Sequence, residues 1–318
     1  GMRLYGRSLT SGMQGKYAHT VRQARGVVGL IVPANTPIAN ISWKVFPALI
    51  CGNTVVLKAS EDAPEIALRM AQLAKQAGVP DGVLNVIQGA GDPAGKTLVE
   101  DSRVAVISFT GSTEVGRWIA EVAGRRLARV SLELGGKNPF VVCDDADLDA
   151  AVHWASLSAF SNAGQRCASG SRILVFEKVY DDFVSKLVAK AKSLKLGIEE
   201  NCDLGPVINA RQQSNIFSAI DRAIKSGGNL LSGGTAAPTS KELESGFYVE
   251  PTIIADLPYD AELCSLEIFG PVVIIQRVKD SEHALQVANS TDYGLTAAVH
   301  TCLLYTSPSP RDAHESRM

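Results

Sequence analysis

The 318-residue chain lacks several features that mark common protein classes. Its 31 basic and 33 acidic residues nearly balance and are spread along the chain, so no surface for nucleic acid or for a membrane is indicated. No apolar run is long enough to cross a bilayer. The six cysteines form neither a CxxC pair nor a zinc-ligand pattern, which indicates a reducing, cytoplasmic compartment and no structural metal.

A large apolar fraction, 46% of the residues, is sufficient for more than one folded domain. From Gly26 onward, short β-rich runs alternate with helical ones. The β-rich runs are near-continuously apolar, as expected of strands covered on both faces, and they are residues 26–32, 54–59, 83–89, 104–111 and 128–136. The helical runs are residues 43–52, 64–78 and 113–124. This βαβ alternation predicts a mostly parallel, Rossmann-like sheet.

A second α/β pattern begins after Gly136. Its predicted strands are residues 138–146, 172–179, 246–257 and 271–278, and its predicted helices are 147–163, 180–195 and 210–226. The paired glycines Gly135 and Gly136 indicate the domain boundary, because glycine permits backbone conformations that other residues avoid. We therefore expect an arm over residues 1–25, a cofactor domain over 26–136 and a catalytic domain over 137–301, with a ligand cleft between the two domains.

Cys167, in NAGQRCASGSR, is the strongest candidate for a reactive residue. A thiol attacks as its thiolate, which a cation such as the neighbouring Arg166 or backbone N–H groups can stabilise. Glu133, in SLELGGKNP, is a candidate base. The alternative for Cys167 is a small buried side chain, which is what most free cysteines are.

Five segments in a fixed order favour the reactive role of Cys167 over the buried structural one. They are residues 27–64, VAVISFTGSTEVGR (104–117), LELGG (132–136), GQRC (164–167) and EIFGPV (267–272). Together they resemble the NAD(P)-dependent aldehyde dehydrogenase superfamily, over roughly residues 2–301. The resemblance implies a Rossmann-like NAD domain followed by an α/β catalytic domain, an aldehyde substrate, and assembly as a homodimer or homotetramer.

The same resemblance implies a mechanism with three catalytic residues. Cys167 forms a thiohemiacetal with the aldehyde, and hydride transfer to the cofactor converts this adduct to a thioester. Asn35, in PANTP, stabilises the adduct oxygen together with the backbone N–H of Cys167. Glu133 activates the water that hydrolyses the thioester, and a hydrophobic cleft is expected to raise its pKa. From local sequence alone, Asn35 could be a turn residue and Glu133 a solvated or ion-paired carboxylate. Ala34 departs from the tryptophan of many relatives.

The cofactor residues also follow from the resemblance. Lys58 and Glu61 match residues that bind the adenosine ribose, and Glu267 and Phe269 match residues that position the nicotinamide ribose. Further matches are Gly91, Gly111, Ser112, Val115 and Lys44. A glycine turn that opens a helix suits a pyrophosphate. The carboxylate of Glu61 favours NAD over NADP, because it repels an added 2′-phosphate. A competing phosphate-loop interpretation of AGDPAGKT is weakened by Ala90 where that motif has glycine.

Two rival functions remain open: a CoA-acylating aldehyde dehydrogenase, which retention of Glu133 argues against, and a non-catalytic binding protein on the same fold. Both ends of the chain are expected to be incomplete. Residues 302–318 break the preceding composition, and CLLYTSPSPRD resembles one reading frame of a sequencing-library adapter. A short disordered C-terminus is the alternative. We therefore expect an internal fragment with a non-native tail.

Overall fold

The structure is a computed structural model that describes residues 4–234 and 246–302. The chain divides into two compact units, the first ending at Leu134 and the second beginning at Gly135. Among the described residues, no helix is long and apolar enough to cross a membrane. The predicted non-native tail lies outside the described residues from position 303 onward. Its first residue, Cys302, donates from Sγ to Asp145 Oδ2 at 3.1 Å.

A parallel sheet forms the centre of the first unit. An antiparallel hairpin precedes it, formed by β1 (Ser8–Thr10) and β2 (Tyr17–His19). The sheet contains β3 (Val27–Ile31), β4 (Thr54–Lys58), β5 (Leu84–Ile87), β6 (Val104–Thr110) and β7 (Arg129–Glu133). Their spatial order is β5-β4-β3-β6-β7, and every neighbouring pair is parallel. The predicted Rossmann-like sheet is therefore confirmed.

Helices cover both faces of this sheet. They are α1 (Pro37–Ile50), α2 (Pro64–Gln76), α3 (Lys96–Glu100) and α4 (Thr113–Arg125). Side chains alternate along β3, so Val28 and Leu30 belong to a core with α1 and α2, whereas Val27 and Ile31 pack against the core of α3 and α4. This two-sided burial accounts for the near-continuous apolar run of β3.

The second unit contains a mixed sheet. Its strands are β8 (Pro139–Val142), β9 (Arg172–Phe176), β10 (Asn229–Ser232), β11 (Thr252–Ala255), β12 (Val272–Val278) and β13 (Ala298–His300). Their order is β10-β11-β12-β9-β8-β13, and β10 pairs antiparallel while the other pairs are parallel. The helices are α5 (Leu148–Phe160), α6 (Tyr180–Ser193), α7 (Ala210–Lys225), α8 (Glu262–Ser265) and α9 (Ser281–Ala288).

Two local predictions were wrong. The strand predicted over 128–136 is not covered on both faces, because β7 lies at the sheet edge and only Leu132 of its five residues is not exposed. The helix predicted over 147–163 ends at Phe160, since Asn162 and Ala163 adopt left-handed φ values of 55° and 52°. In the AGDPAGKT segment, Asp92 is non-helical and α3 begins at Lys96.

Candidate active site

The candidate residues of the first unit lie along one edge of its sheet. Carboxyl ends of parallel strands meet at a common edge, where open α/β sheets bind their ligands. Asn35 follows β3, Gly91 follows β5 and Glu133 ends β7. The remaining candidates at this edge are Lys58 at the end of β4, Glu61 after it, and Gly111, Ser112 and Val115 after β6. The sheet topology therefore brings together eight residues that are far apart in sequence.

A groove of about 220 Å³ lies at this edge. It is located where the strand order changes direction, since β4 lies on one side of β3 and β6 lies on the other. Five predicted cofactor residues line it, namely Lys58, Glu61, Gly91, Ser112 and Val115. The apolar side chains of Phe109, Trp118 and Ile119 also contribute to its wall. A groove with apolar walls and a few polar groups suits a small organic ligand.

An ion pair forms part of the groove wall. Lys58 Nζ lies 2.8 Å from Glu61 Oε2, and the Lys58 side chain is 4% exposed whereas that of Glu61 is 53% exposed. The lysine therefore orients the carboxylate, while the carboxylate itself remains accessible. An accessible carboxylate held in place is suited to accept hydrogen bonds from sugar hydroxyls.

The amino end of α4 borders the same groove. Ser112 caps this helix, its Oγ accepting from the Val115 N–H at 3.3 Å. A Cβ at Gly111 would lie 2.4 Å from Phe109 Cζ, so a larger residue would displace that ring. The Gly111 N–H donates to the Glu133 carbonyl at 3.1 Å, which joins the ends of β6 and β7. The positive end of the helix dipole is thus presented where a phosphate could bind.

Two further observations fit a bound dinucleotide. A Cβ placed on Gly91 would meet no atom within 4 Å, so open space remains above this residue for a ligand. Within the described part of the chain, the buried hydroxyls of Thr110 and Thr113 have no hydrogen-bond partner. Buried polar groups are normally satisfied, and these two flank the start of α4.

Glu133 is exposed at the end of β7. The predicted hydrophobic surroundings of its carboxylate stay a prediction. Asn35 is half-buried in the loop between β3 and α1. Lys44 lies in α1, where its Nζ donates to Ser108 Oγ on β6 at 2.9 Å. Burial lowers the pKa of Lys44, and the negative charge of Glu133 partly opposes this shift. Lys44 therefore ties α1 to the sheet.

Cys167 lies in a tight turn of the second unit, directly before β9. The Ser169 N–H donates to the Arg166 carbonyl at 3.0 Å, and this bond closes the turn around the half-buried thiol. Arg166 itself is exposed. The turn follows Gly164, whose φ is +67° and whose Cβ would lie 2.1 Å from the Gly270 carbonyl oxygen. Only glycine fits this close backbone approach.

That approach brings the Cys167 turn beside the EIFGPV segment. Glu267 Oε1 accepts from the Gly136 N–H at 3.1 Å. Burial raises the pKa of Glu267, while this hydrogen bond and the charge of Lys137 oppose the shift. Phe269 has a left-handed φ of 55°, and its carbonyl accepts from Gln212 Nε2 at 3.0 Å. Arg166 and Ser169 of the Cys167 turn line one small pocket with Glu267 and Phe269, so the second unit brings this turn close to both residues.

Several residues around these candidates were missed by sequence reasoning. Asn138 and Lys137 follow the recognised LELGG motif and are almost fully buried. Gln212 lies on α7, far along the chain from the loop that it contacts. No local sequence pattern marked Lys137 as buried, and none paired Gln212 with Phe269.

The chain is similar in sequence to several known aldehyde dehydrogenases. The aldehyde dehydrogenase of Emericella nidulans is 44% identical over 286 residues, which are 89% of this chain and 56% of that protein. The phenylacetaldehyde dehydrogenase of Pseudomonas fluorescens is 43% identical over 287 residues, with the same two shares. The chain therefore spans little more than half the length of these relatives.

Solved structures agree in fold. PnpE from Pseudomonas sp. WBC-3 has a TM-score of 0.92 at 40% identity, covering 96% of this chain and 62% of that one. A betaine aldehyde dehydrogenase from Staphylococcus aureus in complex with NAD+ has a TM-score of 0.92 at 35% identity, covering 94% of this chain and 60% of that one. The model of the aldehyde dehydrogenase family matches residues 1–306, and the chain belongs to this family.

Proposed function

We propose that the protein oxidises an aldehyde to a carboxylic acid with NAD, through a covalent intermediate on Cys167. Family membership supports the reaction class. The observation that carries the proposal is the groove at the carboxyl edge of the first sheet, where five residues matched to cofactor contacts lie together. A non-catalytic binding protein on this fold would not need a turn that presents the thiol of Cys167 as a nucleophile.

The groove residues would hold NAD. Lys58 and Glu61 would bind the adenosine ribose, Gly91 would admit the adenosine, and the amino end of α4 at Ser112 would bind the pyrophosphate. Glu267 and Phe269 of the second unit would orient the nicotinamide ribose. When bound, NAD supplies the hydride acceptor for the oxidation. Glu61 supports NAD over NADP, because its carboxylate repels a 2′-phosphate.

The protein's own residues carry the covalent chemistry. Cys167 attacks the aldehyde carbon as a thiolate and forms a thiohemiacetal. The Asn35 amide and the Cys167 backbone N–H stabilise the resulting oxyanion, and each such donor contributes about 3 kcal/mol. After oxidation, Glu133 takes a proton from water, which attacks the thioester and releases the carboxylic acid. The exposure of Glu133 within its unit supports access of water to this carboxylate.

We further propose that the protein acts in the cytoplasm as a homo-oligomer on a small-molecule aldehyde. The irregular spacing of the cysteines supports a reducing compartment. Two apolar side chains of the β1–β2 hairpin are exposed, Leu9 at 52% and Tyr17 at 86%. Exposed apolar surface of this kind supports contact with a second subunit.

The proposal is tested on the full-length protein, because the fragment alone is expected to lack activity, by following NADH formation with a panel of aldehydes for the unmodified enzyme, Cys167→Ala and Glu133→Gln. Cys167→Ala should abolish oxidation and leave NAD binding intact, since only the nucleophile is removed. Glu133→Gln should give one equivalent of NADH and then very slow turnover, because deacylation lacks its base.

Cys51→Ala serves as the control, since this exposed cysteine lies in the first unit and should retain full activity. Substantial turnover by Cys167→Ala would refute the mechanism. Release of the acyl group by CoA but not by water would identify the acylating branch instead.

A further inference from the structure

The side-chain amide of Asn138 forms direct hydrogen bonds with the Cys167 turn. Its Nδ2 donates to the carbonyl of Cys167 at 2.6 Å and to the carbonyl of Ser169 at 2.9 Å. Its Oδ1 accepts from the Thr296 N–H at 3.1 Å. Asn138 is 3% exposed, so water does not replace these bonds. Both amide hydrogens are thus used on the two carbonyls that flank Ala168.

The backbone around Asn138 holds the amide rigidly. The Asn138 carbonyl accepts from the Arg172 N–H at 3.3 Å, which joins the start of β8 to that of β9. On the other side, a Cβ at Gly136 would lie 2.6 Å from the Cys167 carbonyl oxygen and 2.8 Å from Asn138 Oδ1. The absence of a side chain at Gly136 is therefore what lets the Cys167 carbonyl approach the amide.

We propose that Asn138 is a positioning residue for Cys167, fixing the turn that carries the thiol; this inference rests on the proposed nucleophilic role of Cys167. The amide sets the direction of the Cys167 carbonyl and so the backbone torsions of the turn. Those torsions determine where the thiol points and where the Cys167 N–H points. Asn138 touches no reacting atom in this role.

Removal of the amide leaves two carbonyls without their donor in a buried position, which favours rearrangement of the turn. Small displacements of a nucleophile reduce reaction rates strongly, because the reacting atoms must approach in a narrow range of geometry. Cofactor binding involves other residues and should be retained. A positioning role therefore predicts an effect on kcat that is separate from NAD affinity.

Asn138→Leu removes all three hydrogen bonds with little change in side-chain size, and Asn138→Ser keeps a hydroxyl that can donate to one carbonyl. Asn53 supplies a matched control. It is 9% exposed, its Oδ1 accepts from the N–H groups of Arg25 and Gly26, and its Nδ2 donates to the Ala48 carbonyl. Asn53→Leu thus removes a comparable buried amide far along the chain from the turn.

Steady-state kinetics give the first measurement. Asn138→Leu should lower kcat by about 10–100-fold. Its KM for NAD should stay within about twofold. Asn138→Ser should restore part of kcat, and Asn53→Leu should keep kcat within about twofold of the unmodified protein even if its Tm falls. Unchanged kcat in Asn138→Leu, or an equal loss in Asn53→Leu, would overturn the proposal.

Alkylation by iodoacetamide gives a second measurement that needs no aldehyde. The rate at Cys167 is divided by the rate at the exposed Cys51 of the same molecule, both read from peptide masses. This ratio should fall severalfold in Asn138→Leu and stay constant in Asn53→Leu. An unchanged or increased ratio contradicts the positioning role. Should Asn138→Leu fail to fold, Asn138→Ser and Asn53→Ser are compared in the same way.

The two measurements separate failure of this inference from failure of the proposed function. Absence of NADH formation by the full-length protein with every aldehyde would refute the proposed function, while the alkylation ratio would still decide whether Asn138 positions the thiol.

Discussion

Lys137 is the residue whose charge is least expected where it lies. It is 1% exposed, and in the described part of the chain its Nζ has no hydrogen-bond partner. Burial lowers the pKa of Lys137 to about 7, the charge of Arg172 adds to this shift, and the charges of Cys264 and Glu267 oppose it. The ammonium form is therefore costly in the folded protein near neutral pH.

This cost predicts how stability depends on pH. Because the folded pKa of about 7 lies below the ordinary 10.5, the unfolded chain binds more protons between these values. The free energy of unfolding should therefore rise as pH increases through this range, and the stabilisation is lost as pH falls toward 7. Lys137→Met should raise the free energy of unfolding by about 2 kcal/mol near neutral pH, with the gain shrinking at alkaline pH.

Urea unfolding over a series of pH values measures this difference. Lys75→Met is the control, because Lys75 is 71% exposed and pairs with Asp81 at the surface. Its effect on stability should be small at every pH. Destabilisation by Lys137→Met across the whole pH range would contradict the predicted cost of the buried charge.

At the scale of the elements, the close contact of two loops positions the thiol. Gly164 adopts φ +67° directly against the Gly270 backbone, between the end of α5 and the Cys167 turn. Gly164→Ala adds a Cβ where no backbone space exists and where φ is unfavourable for alanine. We expect a loss of about 3 kcal/mol in the free energy of unfolding and loss of aldehyde oxidation.

Gly124→Ala provides the comparison for this prediction. Gly124 lies inside α4, and its Cβ would meet no atom within 4 Å. Alanine there should stabilise the protein by about 0.5–1 kcal/mol, because glycine is unfavourable within helices. Thermal denaturation and NADH formation measured on both variants decide the matter. If the two variants showed equal stability and equal activity, the loop contact at Gly164 would not be needed for folding or for aldehyde oxidation.

At the scale of the whole molecule, the choice of cofactor should determine both turnover and stability. Glu61 presents an accessible carboxylate, so a 2′-phosphate beside it is repelled. We expect kcat/KM to favour NAD over NADP by about tenfold or more. NAD at about 100 times its Kd should also add about 2.7 kcal/mol to the free energy of unfolding, and NADP at the same concentration should add less.

Glu61→Gln should reduce the preference for NAD over NADP, because it removes the charge that repels the 2′-phosphate. Glu121→Gln is its control, since Glu121 pairs with Arg125 on the outer face of α4 and should leave the preference unchanged. The values of kcat/KM for both cofactors and thermal shifts with each cofactor test the prediction. Equal or reversed preference in the unmodified protein would show that Glu61 does not face the ribose.

The sequence by itself determined the family, the parallel α/β class and the strands that carry the candidate residues. These follow from local patterns, because a buried parallel strand needs a continuous apolar run and a βαβ unit needs an intervening helix. The placement of Lys58, Gly91 and Ser112 at a single groove then follows from parallel pairing, which brings the carboxyl ends of the strands to one edge.

The tertiary structure alone decided which of these groups are buried and which loops touch. Glu133 is exposed because β7 lies at the sheet edge, and the order of strands depends on crossover connections that no local window contains. The hydrogen bonds from Asn138 to Cys167 and from Gln212 to Phe269 join residues 29 and 57 positions apart. Such contacts depend on how whole elements pack, since the polar groups are satisfied only after the chain has folded around them.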